Sequence, residues 1–213
     1  MVNIKDEYQR VYAEINLDAL NHNMDGILAK VNDKSRVIAV LKTDAYGHGA
    51  IPIARELETR SKVYGYALAT AEEALILRNS GIRKPLIILG YTFPNKYEEL
   101  IQKNIAMTAF REDMLEEIAK ACRHISTTEY KYVAHIHIKI DTGMGRIGIT
   151  PDEKGIDFIK KALEYEEIKI DGIFTHLAKA DEDKDFTLNQ LQIFSSFVNK
   201  FATSFGSFII IFL

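Results

Sequence analysis

The 213 residues include one cysteine, Cys122, and no tryptophan. A single thiol excludes both a disulfide framework and a thiolate metal cluster. No apolar run approaches the ~20 residues a membrane span needs. Lys5, Asp6, Glu7, Arg10, Glu14 and Asp18 leave no signal-peptide core near the start, so the expected compartment is the cytosol. Neither sign of charge dominates: 27 Lys+Arg stand against 30 Asp+Glu, a net −3, which gives no electrostatic footprint for nucleic acid. The aromatic residues are scattered, without the basic interleaving of a base-stacking surface. What is present is ordinary for a globular domain: 47% apolar and 27% charged residues, which excludes intrinsic disorder. A chain of this length buries roughly 70% of its unfolded surface and needs no staples.

Short apolar runs alternate with amphipathic stretches of helical length. The pattern predicts strands at 36–41, 64–69, 86–89, 105–110, 132–140 and 168–175. Helices are predicted at 48–60, 71–79, 95–103, 112–123, 153–165 and 186–201. A further strand at 12–17 and a helix from Asp18 precede them. Strict alternation implies a parallel sheet with right-handed crossovers. No G-x-G-x-x-G follows the first strand, which argues against a dinucleotide fold. Polar residues gather after several different strands, as at the C-terminal rim of a (β/α)8 TIM-type barrel. The expected fold is therefore an incomplete barrel of about six of eight βα units, over residues 1–200. The uncharged tail 201–213 admits two readings: a seventh strand, or an apolar segment foreign to the fold.

Three clusters carry polar chemistry. In the first, VLKTDAYGHG (40–49), Lys42 directly follows an apolar run. A partly desolvated amine loses ammonium stability, as Schiff-base chemistry requires; a lysine snorkelling from a strand end would read the same way. In the second, AHIHIKIDTGMGRIG (134–148), period two puts His135, His137, Lys139 and Asp141 on one face and aliphatic residues on the other. A buried row of that kind is costly unless fully hydrogen-bonded, and points to a site more than to a core. Arg146, in a glycine-flanked loop, can donate to a phosphate, carboxylate or phenolate. His135-x-His137 also has the spacing of a metal pair, which would suit a metal-dependent barrel hydrolase. The third cluster, GIFTHLAKADE (172–182), places His176 at the end of a strand. His22 and His124 fall on helical surface, and 181–185 reads as a solvated loop.

Together these clusters resemble the alanine racemases, fold-type III pyridoxal phosphate enzymes, over roughly residues 10–200. The resemblance implies interconversion of L- and D-alanine for peptidoglycan through a pyridoxal 5'-phosphate aldimine and two-base proton transfer. It makes Lys42 the cofactor-linking lysine and the base for the D-isomer, and gives Tyr46 and His176 cofactor-binding roles. Arg146 would orient the substrate carboxylate, and Lys139 would be carbamylated; no metal is implied. Alanine or serine is the expected substrate, and a homodimer the expected assembly of the family. The family's last two barrel strands and its C-terminal β domain, source of the opposing tyrosine base, have no counterpart motif here. The chain is therefore expected to be an inactive fragment on its own, or a barrel that binds pyridoxal phosphate without turnover.

Overall fold

Helix ends follow local chemistry. The computed structural model describes residues 11–205 and 209–212, with side chains to residue 200. Helix α1 (Leu17–Leu28) begins where Asn16 Oδ1 accepts the Ala19 N–H at 2.9 Å, satisfying one orphan donor of the first turn. The strand predicted at 12–17 does not form: Leu17 opens α1, residues 12–16 are irregular, and Val11, Tyr12 and Ile15 are exposed, with none of the described strands paired to this β-favouring stretch. After β1 (Val37–Val40) comes α2 (Lys42–Gly47), a single turn that is left-handed, then α3 (Ala50–Leu57). Next are β2 (Val63–Leu68) and α4 (Ala71–Asn79), opened by a Thr70/Glu73 capping box and followed by Gly81 at φ 94°.

Then follow β3 (Leu86–Ile88), α5 (Tyr97–Gln102), β4 (Met107–Ala109) and α6 (Glu112–Ile125). The remaining elements are β5 (Ala134–Lys139), α7 (Glu153–Leu163), β6 (Ile168–Thr175), α8 (Lys184–Phe205) and β7 (Ile209–Phe212). In α6 the buried residues are Met114, Leu115, Ile118, Ala119 and Cys122, the stripe that a 3.6-residue period lays along one face.

All pairings are parallel. The strands fall in two runs, β1-β2-β3 and β4-β5-β6-β7, bridged where Ala106 donates to Leu86 O and Ile88 donates to Ala106 O, both at 2.9 Å. Spatial order thus equals chain order, without the reversal of a doubly wound sheet. This is a partial α/β barrel. Residues 209–212 pair with β6, Gly172 opposite Ile209 and Thr175 opposite Phe212, so this part of the tail lies as a seventh strand, and α8 runs on through residue 205. The described strands therefore number seven: the six predicted between 36 and 175, and this one. Residues 1–10, 206–208 and 213 lie outside the described residues.

The larger core lies between strands and helices, and includes Ala134, Ile136, Ile138 and Ile140 of the β5 region with Leu115, Ile118 and Phe158 of the helices. A smaller cluster of Ile87, Ala106 and Phe174, joined by Ile38 and Leu89, packs separately. Among the described residues no helix is long and apolar enough to cross a membrane.

Strand spacing sets one sharp steric requirement. A Cβ on Gly65 would lie 2.3 Å from the Pro85 carbonyl oxygen, whereas one on Gly26 meets nothing within 4 Å. Gly65→Ala is expected to destabilise by about 1–3 kcal/mol, the cost of overpacking. Gly26→Ala, in the middle of α1, is expected to stabilise by about 0.5–1 kcal/mol. Denaturant unfolding of the two variants checks the opposite signs.

Candidate active site at the strand ends

Four of the expected site residues converge. A cavity of about 310 Å³ is lined by Lys42, Lys139, Arg146 and His176, with Ala69, Leu89, Gly90, Tyr91, Ile147 and Phe174. They come from the C-terminal ends of β1, β2, β3, β5 and β6 and the loops that follow, the rim where barrel enzymes build their sites. Three of the lining residues are cations and none is an acid.

Lys42 is held by an unusual backbone. Thr43 to Tyr46 all have φ between 52° and 56° and ψ between 38° and 48°, a left-handed conformation that costs residues with a Cβ roughly 1–2 kcal/mol each. The predicted helix from His48 begins instead at Ala50, whose N–H donates to Asp44 Oδ1 at 2.7 Å. Tyr46 is 60% exposed and does not line the cavity; its ring centroid is 5.7 Å from Lys42 Nζ.

Lys139 is 2% exposed. Its amine donates to Ile140 O at 2.8 Å and sits 5.7 Å from the Phe174 ring centroid. Burial pulls its pKa down, the Asp141 charge opposes this and Arg146 adds to it, leaving the amine at about 8. Asp141 does not continue the inward-facing row. It follows the end of β5 and accepts from the Gly143 N–H at 3.0 Å and the Gly145 N–H at 3.0–3.1 Å. Burial pushes its carboxyl upward, but these amides outweigh it and the pKa falls below the ordinary value. The loop closes in a parallel bridge between Ile140 and Ile149: the Asp141 N–H donates to Ile149 O and the Ile149 N–H to Lys139 O, both at 2.9 Å. A Cβ on Gly148 would meet Asp141 N at 2.7 Å.

His176 follows β6 directly. Burial lowers its pKa, and the charges of Arg146, Lys139 and Lys42 lower it further, so the ring is held neutral. Its carbonyl accepts from Gln190 Nε2 at 3.2 Å. Gln190 Nε2 also donates to Thr142 Oγ1 at 3.2 Å, Thr142 and Thr175 share a 2.8 Å hydroxyl bond, and Thr175 donates to Ile140 O at 3.0 Å. This buried network joins the loops after β5 and β6 to α8. Its three side chains were not singled out from the sequence, although Thr142 and Thr175 lie within the second and third clusters. Glu73 was missed too, although Thr70-x-x-Glu73 is a capping-box signature.

His135 and His137 have different surroundings. His135 Nδ1 lies 2.7 Å from Asp171 Oδ2. His137 is 2% exposed, its Nδ1 has no partner, and burial takes its pKa down to about 4. Among the described residues no three His, Cys, Asp or Glu side chains could hold a metal ion together.

Known proteins resemble the chain closely. Residues 15–208 match the family description "Alanine racemase, N-terminal domain". The chain belongs to the alanine racemase family. An alanine racemase of Desulforamulus reducens is 37% identical over 191 residues, covering 89% of this chain and 50% of the relative. One of Clostridium novyi is 40% identical over 188 residues, covering 88% and 47%. A solved alanine racemase of Clostridium difficile 630 superposes with a TM-score of 0.88 at 33% identity, covering 95% of this chain and 55% of that one. The chain thus spans about half the length of the curated alanine racemases it matches.

The buried Lys139 cation sets a pH dependence. Its folded-state pKa of about 8 lies below the ordinary 10.5. Below pH 8 both states carry the proton and the folded state bears the full desolvation cost. Between about 8 and 10.5 only the unfolded chain binds the proton, so stability rises with pH. In carbonate-free buffer, Lys139→Met is expected to be more stable than the native chain at pH 7, with the difference shrinking as pH climbs through that window. Denaturant unfolding at stepped pH measures it; a constant difference would contradict the assignment.

Proposed function

We propose that this chain is the pyridoxal-phosphate-binding barrel of an alanine racemase, acting in the cytoplasm on alanine or serine, with the complete protein a homodimer. One observation carries the reading: Lys42, Lys139, Arg146 and His176, from three separate sequence motifs, line one rim cavity that contains no acid. That donor set fits an aldehyde bearing a dianionic phosphate. A primary amine is available for covalent attachment, the surrounding charge is positive, and an uncharged imidazole can lie beside a ring without competing for protons.

When bound, pyridoxal phosphate supplies an electron sink that stabilises the carbanion left by a departing α-proton. The chain's own groups do the rest. Lys42 Nζ is the amine that would hold the cofactor and, when free, would take or return the proton on one face of the α-carbon. Tyr46 stands beside that amine as a cofactor-side residue. Arg146 orients the substrate carboxylate through charge-assisted hydrogen bonds. Lys139, with its amine at about 8, is partly neutral near pH 7. Its nitrogen can attack carbon dioxide, form an N–C bond and release a proton, and the resulting carbamate anion would pair with Arg146. By the family resemblance, the second base is a tyrosine of the β domain in the partner subunit.

Two experiments test this. Borohydride reduction with pyridoxal phosphate is expected to label Lys42, with the label lost in Lys42→Ala; label spread over surface lysines and unchanged in the variant would refute the site. In heavy water, the chain alone is expected to exchange the α-proton of D-alanine slowly and only when Lys42 is present. L-alanine should not accumulate at an enzymatic rate, since loss of a positioned acid or base costs about 10²–10⁴-fold. Fast, Lys42-dependent formation of L-alanine would show that the chain supplies both bases.

A further inference from the structure

Glu73 makes bonds that a helix cap does not need. In a capping box the N3 glutamate reaches back to the N-cap N–H while the N-cap hydroxyl accepts from N3. Both of those bonds are present, and both are long: Thr70 N–H to Glu73 Oε2 at 3.3 Å and Glu73 N–H to Thr70 Oγ1 at 3.4 Å. The short bonds of the same carboxylate go elsewhere. Oε1 accepts the Thr43 N–H at 2.7 Å, thirty positions earlier in the chain, and Oε2 accepts the Ala69 N–H at 2.8 Å. One carboxylate therefore ties the loop after β1 to the loop after β2.

What it ties down is the residue directly after Lys42. Thr43 is the first of four consecutive left-handed residues, none of them glycine. Such a run needs bonds that over-determine it. Most of these come from within the segment and its flanks: Ala45 N–H to Leu41 O at 2.9 Å, Gly49 N–H to Asp44 O at 2.9 Å, and Ala50 N–H to Asp44 Oδ1 at 2.7 Å. They fix the shape of the turn. The bond to Glu73 fixes the turn against a neighbouring strand end, whose Ala69 lines the same cavity as Lys42.

We infer that Glu73 is a positioning residue for Lys42: by holding the Thr43 N–H it sets where the ε-amine stands in the cavity, touching neither cofactor nor substrate. This rests on the cofactor role proposed for Lys42, but its structural half can be read without cofactor.

The test compares Glu73→Gln with Thr70→Ala in the whole chain. Glutamine retains a capping acceptor but loses the charge and half of the acceptor capacity; Thr70→Ala weakens the cap and leaves the bonds to Thr43 and Ala69. Hydrogen exchange of the peptide spanning 41–47, without cofactor, is expected to quicken about tenfold in Glu73→Gln and to stay near the native rate in Thr70→Ala. With pyridoxal phosphate, the concentration needed for half-maximal borohydride labelling of Lys42 is expected to rise about tenfold in Glu73→Gln only, and Glu73→Asp is expected not to restore it, being one methylene too short to span both loops. Unaltered exchange and labelling in Glu73→Gln, or equal effects in both variants in step with lost thermal stability, would reduce Glu73 to a helix cap. Altered exchange without labelling of Lys42 even in the native chain would uphold the clamp and overturn the cofactor reading instead.

Discussion

Burying the Lys139 ammonium at the rim, with no acid among the residues that line its cavity, constrains much of what surrounds it. Desolvating a charge costs several kcal/mol unless it is paired, and the nearest acid does not pair with it. Asp141 spends its carboxylate on the amides of Gly143 and Gly145, and the Arg146 charge adds repulsion. The amine is left with a single carbonyl, Ile140 O. The relief available is to lose its proton or to acquire a negative group, and either converts a cost of folding into reactivity.

A site that stores this cost needs stiff walls. Parallel strands end in loops that carry unsatisfied backbone groups, and here those groups are taken up by side chains that bridge loop to loop. Gln190, Thr142 and Thr175 lock the ends of β5 and β6 to α8, and Glu73 locks the ends of β1 and β2. The two clamps hold different strand ends of the same rim. They differ chemically: hydroxyl and amide groups serve beside the arginine and the buried lysine, while a carboxylate serves beneath the turn that follows Lys42.

The sequence made legible what repeats and what clusters. Apolar runs and, in β5, period-two alternation gave the positions of β1 to β6; a strand buried on both faces, such as β3, reads as an unbroken aliphatic series. The three motifs gave Lys42, Lys139, Arg146 and His176, because lysine, arginine and histidine at strand ends are conspicuous. Three features were not legible in this way. The left-handed turn at 43–46 consists of residues with no left-handed preference beyond Asp44, so its shape comes from bonds with distant partners. Asp141 was placed on the inward face by period two, yet the strand ends before it and two glycine amides capture the side chain. Tyr12 to Leu17 has strand-like composition, but pairing is a property of neighbours, and none of the described strands lies beside residues 11–16.

One strand shows how position, rather than residue type, divides chemistry from structure. His135, His137 and Lys139 share a face of β5 at successive depths. At the lower end His135 meets Asp171, and Lys169 Nζ approaches the same carboxylate at 3.3 Å. Burial pushes the Asp171 carboxyl up, but the hydrogen bond from His135 and the charges of His135 and Lys169 outweigh it, so charge there is matched and spent. Nearby Arg78 is likewise occupied, donating to the carbonyls of Ile82, Lys84 and Asn104. His137, midway, has neither acid partner nor water-facing surface and is neutral. At the upper end Lys139, Arg146 and Lys42 face one another with no carboxylate in the lining. The lower end holds a carboxylate, Asp171, between His135 and Lys169, whereas the upper end gathers positive charge with no carboxylate in its lining, a charge that an anionic ligand or an acquired carboxylate would neutralise. That imbalance, more than the identity of any one residue, makes the rim the reactive end of the barrel.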